Sequence, residues 1–515
     1  MMKLFRSASE RHTAEAIARL AYCNPFLEER LELERASLGD AYEPFFAVWH
    51  PREGFPDDNP NVVAIRERGA ALAATLRSRL DDGAEPNDEE REIYRGLCLY
   101  VLYDRYQRQL HLIARDADTH DDGRHAPFWT EFRKDFGNLL EHPKVAMGEP
   151  MTARHVFACC FQLRRAFHYI FHSITGVSMP AARLRARVWQ SVFSHDLKRY
   201  QRALYERMGV VTTLITGPSG AGKELVAQAI GRARYIPFDP KTKRFSDSFR
   251  GSFFPLNLSA LSPTLIESEL FGHRRGSFTG AVADRKGWLD VCPPLGTVFL
   301  DEIGELDPGI QVKLLRVLET RTFQPLGSTD PRSFEGKIVA ATHRDLEREL
   351  RAGRFREDLY YRLCADTVTT PSLRERLDDS PEELPALLHT LAGRLVGEVE
   401  APALADDAER WIRENLDSGY AWPGNVRELS QCLSNVLIHK DYRPVDVAAG
   451  PLDARDALVA SMLAGSLTAG DLLRGYCRIV YEHTGSYSSA AERLGLDRRT
   501  VKAKLTEPPG PHDPP

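Results

Sequence analysis

Three short stretches hold residue types whose spacing suits phosphate or partner chemistry. Gly217-Pro218-Ser219-Gly220-Ala221-Gly222-Lys223-Glu224 is glycine-rich and carries a lysine near its end. Glycines so placed let successive backbone N–H groups converge on phosphate oxygens at a helix N-terminus. Lys223 would then reach the β- and γ-phosphates. Glu224 stands where a Ser or Thr usually follows the lysine. The apolar run Thr297–Leu300 closes on two carboxylates, Asp301 and Glu302. Asp301 is suited to organising Mg²⁺, and Glu302 to orienting and polarising an attacking water. Between these stretches lies Gly276-Ser277-Phe278-Thr279-Gly280-Ala281. Its glycine-bounded tip predicts an exposed Phe278, which is costly unless a partner covers it. The outer motifs predict ATP hydrolysis with Mg²⁺. The middle one suggests that a partner feels the result.

A parallel α/β sheet is the scaffold such residues need. From residue 211, short β-rich runs (Val211–Thr216, Phe253–Leu258, Thr297–Leu300, Lys337–Thr342) alternate with helical segments. The glycine-rich loop follows the first run and precedes a helical stretch, Leu225–Gly231, the context a P-loop requires. Residues 1–185 read as a helical domain, with long aromatic-rich stretches at Glu89–Ile113 and His155–Ile174. A linking helix is expected over Arg187–Asp196. His168 and His172 are spaced to share a metal, but an aromatic helix more often buries them as core. Asp116–Arg124 reads as a solvated loop. The α/β part spans 186–378, a helical lid 379–441, and an Ala, Asp and Pro-rich linker 442–465.

The last ordered unit is 466–506. Thr468–His483 places Leu472, Tyr476 and Val480 on one helical face, with Leu473 and Cys477 beside it. Ser488–Leu494, a turn at Gly495 and Asp497–Leu505 complete a helix-turn-helix pattern. Val501 and Leu505 face inward, leaving Arg498, Arg499, Thr500, Lys502 and Lys504 for DNA. The tail 507–515 reads as disordered. The fold class expected is therefore multidomain: a helical N-terminal domain, a P-loop α/β domain with a helical lid, and a C-terminal three-helix unit.

The chain's 515 residues carry a net charge of −5. That excludes a generally basic nucleic-acid coat and confines DNA contact to a local patch. No apolar run reaches 18 residues, so no membrane span is expected. Met1–Arg11 has no apolar signal region, and secretion is not expected. The eight cysteines include no Cys-x-x-Cys pair, which fits reduced, packing cysteines in cytoplasm.

Taken in order, these motifs resemble the sigma-54-dependent transcription activators, bacterial enhancer-binding proteins of the AAA+ class. The family loop reads Gly-Ala-Phe-Thr-Gly-Ala, so Ser277 replaces an alanine. The family also carries Glu at the position of Glu224. The resemblance implies that Gly276–Ala281 touches sigma-54. It implies that Asn257 restrains Glu302 until that loop engages. His343 stands where an asparagine senses the γ-phosphate. Arg356 and Arg362, in Gly353–Leu363, match arginines acting on a neighbouring subunit's nucleotide. Arg427, in Trp422–Leu429, would return from the lid to the nucleotide. The C-terminal unit resembles the Fis-type domain. The resemblance covers roughly 186–506, and a sensory role for the N-terminal region follows from position and family alone. The implied protein is an ATPase ring, hexameric or heptameric, that binds upstream double-stranded DNA and remodels sigma-54 RNA polymerase holoenzyme. A second reading is a nucleotide-binding DNA repressor or sensor that does no remodelling. His343 and Ser277 keep that reading open; Asp301, Glu302 and the two arginines argue against it.

Overall fold

A computed structural model describes residues 3–44, 59–116, 124–143, 145, 151–247, 251–444, 458–459, 461–462, 465 and 467–506. The chain forms two compact units, Met1–Asp441 and Tyr442–Pro515.

The first unit begins with seven helices: α1 (Ala8–Leu20), α2 (Glu29–Leu38), α3 (Pro60–Asp81), α4 (Asp88–Asp116), α5 (Trp129–Leu140), α6 (Ala153–Ser173) and α7 (Met179–Phe193). Their starts are written locally. Ser7 accepts from the Glu10 N–H, Asn59 caps α3 ahead of Pro60, and Ser178 caps α7. Helix α6 buries Val156, Phe157, Cys159, Cys160, Phe161, Leu163 and Ala166, which lie all around its axis. A helix that is apolar on every side must be covered on every side. Here the other N-terminal helices cover one side and the α/β part covers the other.

The α/β part is a five-stranded parallel sheet of β1 (Thr213–Thr216), β2 (Phe253–Asn257), β3 (Thr297–Asp301), β4 (Lys337–Thr342) and β5 (Asp366–Thr369), in the order β2-β3-β4-β1-β5. Strands β3 and β4 are buried almost throughout, which explains their continuous apolar runs. The fifth strand, Asp-Thr-Val-Thr, is short and polar and carries no such signal. Helices α8 (Lys223–Arg232), α9 (Pro263–Phe271), α10 (Pro308–Thr320) and α11 (Glu357–Leu363) flank the sheet. Helices α12 (Leu373–Asp379), α13 (Glu383–Val396), α14 (Ala401–Asn415) and α15 (Asn425–His439) follow as the lid region.

One apolar core runs from the N-terminal helices into the sheet. It joins Phe26, Phe157, Phe161 and Trp189 to Ile215, Val226, Ile230, Val339 and Val368. Phe161 stacks on Phe245 at 4.0 Å between ring centres, and Phe157 meets Phe238 at 4.6 Å. The boundary expected at 185/186 falls inside α7, and the linking helix expected over Arg187–Asp196 is the end of α7 and the turn after it. A second core on the other sheet face joins Leu256, Ile266, Leu270, Leu300, Ile310, Leu314 and Leu359.

The second unit contains α16 (Ala469–Thr484), α17 (Tyr487–Leu494) and α18 (Arg498–Thr506). Thr468 and Asp471 form a reciprocal capping box on α16. Gly485 and Gly495 end α16 and α17 in left-handed conformations. Val480, Ala490, Ala491 and Val501 form the small core. Tyr476 does not join the inward face as expected; it is 52% exposed, because the buried stripe of α16 runs through Asp471, Cys477 and Val480. The tail 507–515 and most of the Asp116–Arg124 loop lie outside the described residues. Among the described residues no helix is long and apolar enough to cross a membrane. All eight cysteines are unpaired.

Candidate active site

Strand β1 delivers the phosphate loop at its C-terminal end. The loop turns through Gly217, Gly220 and Gly222, all with positive φ. Gly220 could carry no side chain, since a Cβ there would sit 2.2 Å from the carbonyl oxygen of Gly424 in the lid. Helix α8 starts at Lys223 without a side-chain cap, so its first N–H groups remain free to meet an anion. Lys223 is buried, and its ammonium donates to the carbonyls of Gly217 (3.0 Å) and Pro218 (3.1 Å). Burial lowers its pKa, opposed by the carboxylates of Glu302 and Asp301, while Arg427 pushes the same way as burial.

The acid pair ends β3. Asp301 is held above the usual carboxylate range by burial first and by neighbouring Glu302 second. Its Oδ1 accepts the Glu302 N–H at 3.1 Å. Two crowded, partly desolvated carboxylates facing a phosphate loop fit an oxygen-coordinated divalent cation such as Mg²⁺. Glu302 has φ 58° and ψ 48°, a left-handed conformation that costs a non-glycine residue on the order of 1 kcal/mol or more. That turn aims its carboxylate at His343. The His343 Nδ1 lies 2.7 Å from Glu302 Oε2, and the His343 backbone N–H donates to the same oxygen at 3.3 Å.

Asn257 sits opposite Asp301 in the β2–β3 register. Its side-chain oxygen accepts from the N–H and the hydroxyl of Ser259 at 3.0 and 2.8 Å. His343, not Asn257, is thus the group hydrogen-bonded to the Glu302 carboxylate here.

The lid closes over the loop through two residues. Arg427 Nη1 donates to Ser219 Oγ at 3.2 Å. Buried Asn425 donates from Nδ2 to the Ser219 carbonyl (3.0 Å) and accepts from the Leu373 N–H (2.8 Å). Sequence reasoning passed over Asn425. Its signal is an Asn inside Trp422–Leu429 at φ 53°, a conformation Asn tolerates better than most residues.

Arg356 and Arg362 lie on an exposed surface around α11. Arg356 makes a two-pronged ion pair with Asp358 at 3.0 and 2.6 Å, and Arg362 lies 3.6 Å from Glu319. The described hydrogen bonds join neither to the phosphate loop of their own chain.

Helix α9 carries the partner loop. Arg274 pairs with Asp284 at 2.6 Å, and the Arg275 N–H donates to the same carboxylate at 2.8 Å, closing the base. Gly276 and Gly280 have φ 81° and 103° with open space around them. Phe278 is not the exposed tip expected. It is half-buried edge-on against the His273 ring at 5.0 Å, while Val282 nearby is 83% exposed. Thr279 is exposed and Ala281 buried. Ser277 packs beside Gly327, and its buried hydroxyl has no hydrogen-bond partner.

On α18, Arg498, Arg499, Thr500 and Lys502 are exposed. Lys504 is half-buried rather than exposed, since it sits one turn from buried Val501. The rings of His168 and His172 stack 6.0 Å apart, and no described cluster of three His, Cys, Asp or Glu side chains could hold a metal.

The sheet order, the loop after β1, the acid pair after β3 and the helical lid define an AAA+ ATPase-type fold. Residues 190–369 match the Sigma-54 interaction domain. Over that stretch the chain is similar to proteins that carry a Sigma-54 interaction domain. It is 39% identical over 312 residues to the hydrogenase transcriptional regulatory protein HoxA of Bradyrhizobium diazoefficiens, covering 58% of this chain and 59% of that protein. It is 45% identical over 300 residues to the Nif-specific regulatory protein of Azotobacter vinelandii, covering 57% and 53%. With the transcriptional regulatory protein ZraR of Klebsiella oxytoca it shares 38% identity over 301 residues, covering 57% and 63%. The match thus spans less than two thirds of each of these relatives.

Proposed function

We propose that this chain is a cytoplasmic, ring-forming ATPase that activates transcription by binding upstream double-stranded DNA and remodelling sigma-54 RNA polymerase. One observation carries the reading: a single α/β body presents Lys223, Asp301 and Glu302 at the C-terminal ends of its central strands and carries a glycine-bounded loop after α9.

The chemistry follows from the residues. Backbone N–H groups of the loop and the ammonium of Lys223 bind and orient the ATP phosphates. Asp301 would hold Mg²⁺, which neutralises charge building on the β- and γ-phosphates when bound. Glu302 orients a water so that its oxygen bonds to the γ-phosphorus as the bond to the β,γ-bridging oxygen breaks. His343 holds Glu302 away from that task until its hydrogen bond is given up. Arg356 and Arg362 are exposed, as a group reaching a neighbour's nucleotide must be. Arg427 and Asn425 tie the lid to the loop, so phosphate contacts reach α12 through the Leu373 N–H. Asn257 remains a candidate to take Glu302 in another nucleotide state. Arg498, Arg499, Thr500, Lys502 and Lys504 supply the basic helix for the major groove.

The test is the loop. In Thr279→Ala, ATP turnover and melting temperature should stay near wild type, while contact with sigma-54 in the hydrolysis-transition-state complex and promoter opening are lost. Promoter opening at wild-type level would replace this reading with a nucleotide-gated DNA-binding protein that does no remodelling.

A further inference from the structure

A cavity of about 130 Å³ lies within the N-terminal helices, walled mainly by apolar and aromatic side chains including Leu99, Tyr103, Val156, Leu163 and Trp189. Glu34 also lines it and is 2% exposed. Its Oε1 accepts from Arg30 at 2.8 Å, but its buried Oε2 accepts no hydrogen bond. The buried hydroxyl of Tyr103 likewise makes no hydrogen bond of normal geometry, although the Arg164 guanidinium lies beside it. Burial raises the Glu34 carboxyl, and it pushes the Tyr103 hydroxyl up to about 12. A buried carboxylate oxygen left without a partner is costly, so Glu34 Oε2 beside this cavity calls for a donor from an occupant. An apolar cavity of roughly 150 Å³ stays dry and takes up a benzene-sized guest. This cavity is close to that size.

We propose that it binds a neutral, single-ring compound carrying a hydroxyl or amino group, which donates to Glu34 Oε2 while the ring packs against Val156, Leu163 and Trp189. Charge selects against other classes. An anion would meet Glu34 and Asp104, and a cation would meet Arg30 and Arg164, all of which line the cavity. Asp104 is already committed to Arg66 at 2.8 Å and to Gln107 at 2.9 Å, so Glu34 is the open acceptor.

The walls of this cavity are also parts of the ATPase body. Val156 and Leu163 share α6 with Phe157 and Phe161, which pack on Phe238 and Phe245. The turn between α6 and α7 ends on Glu383 of α13, which accepts the N–H groups of Val177 and Ser178 at 2.5 and 2.8 Å. The cavity walls are therefore continuous with the elements that touch α8 and the lid.

Calorimetry on the full chain tests the site, whether or not the chain hydrolyses ATP. Phenol and cyclohexanol should bind saturably at one site per chain. Benzene, which lacks the donor, should bind roughly tenfold or more weakly. Benzoate should not bind. Val156→Phe, which fills the cavity, should abolish phenol binding with the melting temperature retained. If that variant does not fold, Glu34→Gln decides: it should narrow the phenol-to-benzene difference. Absence of saturable binding by phenol and cyclohexanol, benzene binding as tightly as phenol, or undiminished binding in folded Val156→Phe each overturns the proposal.

Discussion

Lys223 and Glu302 occupy the same site but fail differently when changed. Lys223→Ala removes the buried ammonium that now bonds Gly217 and Pro218, so nucleotide affinity should fall, read by equilibrium binding of a fluorescent ATP analogue. Glu302→Gln keeps the shape and loses the proton acceptor. It should bind ATP while turnover drops on the order of 10²-fold or more; equal turnover in wild type and variant would remove Glu302 from the chemistry. His343 is the residue where sequence and structure add most to each other. Its identity alone marked a departure from the family asparagine; its 2.7 Å bond to Glu302 shows what the imidazole holds. His343→Ala should free the carboxylate, raising basal turnover several-fold while weakening the link between hydrolysis and partner contact. Unchanged basal turnover with unchanged coupling would mean that the bond restrains nothing.

At the scale of elements, the turn after α6 is the joint that sequence reading did not reveal. Gly176 has φ 121°, and a Cβ there would lie 2.2 Å from Glu383 and 2.3 Å from Arg376, so only glycine fits. Glu383 accepts from Val177, Ser178 and the Arg376 Nε, and Arg376 also donates to the Thr175 carbonyl. Glu383→Ala strands the buried Arg376 charge and two N–H groups. It should cost about 3–5 kcal/mol, measured by denaturant unfolding; a loss below about 1 kcal/mol would show the joint to be solvent-screened. The partner loop differs in kind. Gly276 and Gly280 stand in open space, and its fold rests on the Arg274–Asp284 pair at its base. Phe278 touches only the rim at His273 in the described ring contacts, so Phe278→Ala should lower the melting temperature by no more than a few degrees.

For the whole molecule, the two units predict opposite outcomes of truncation. Removing residues 442–515 leaves the shared core of the first unit whole, so its thermal unfolding should be unchanged while specific DNA binding is lost. Removing residues 1–185 cuts α7 and uncovers Phe238, Phe245, Val226 and Ile230. That fragment should aggregate or lose cooperative unfolding in size-exclusion and circular dichroism. A soluble fragment 186–441 with a wild-type transition would separate the N-terminal helices from the ATPase core. Assembly makes a further demand. If Arg356 and Arg362 serve a neighbour, specific ATPase activity should rise with protein concentration, and a flat profile would count against service in trans.

The local motifs were legible because their meaning is written in short range. The phosphate loop needs glycines at set spacings, the acid pair follows an apolar strand, and the helix expected from Thr468 begins there with its own cap. Four of the five sheet strands stood out as β-rich runs; β5 did not, because Asp366–Thr369 is only four residues long with a single apolar side chain, and it gains its place by pairing with β1. Long-range facts needed the folded chain. Whether Phe278 is covered depends on His273, whether Asn257 or His343 holds Glu302 depends on which strand ends meet, and whether α6 ends one domain or enters another depends on aromatic partners some 80 residues away. Periodicity states that a helix face is buried; it carries no information about which surface buries it, and that choice is made only when the cores of α6, α8 and the sheet close together.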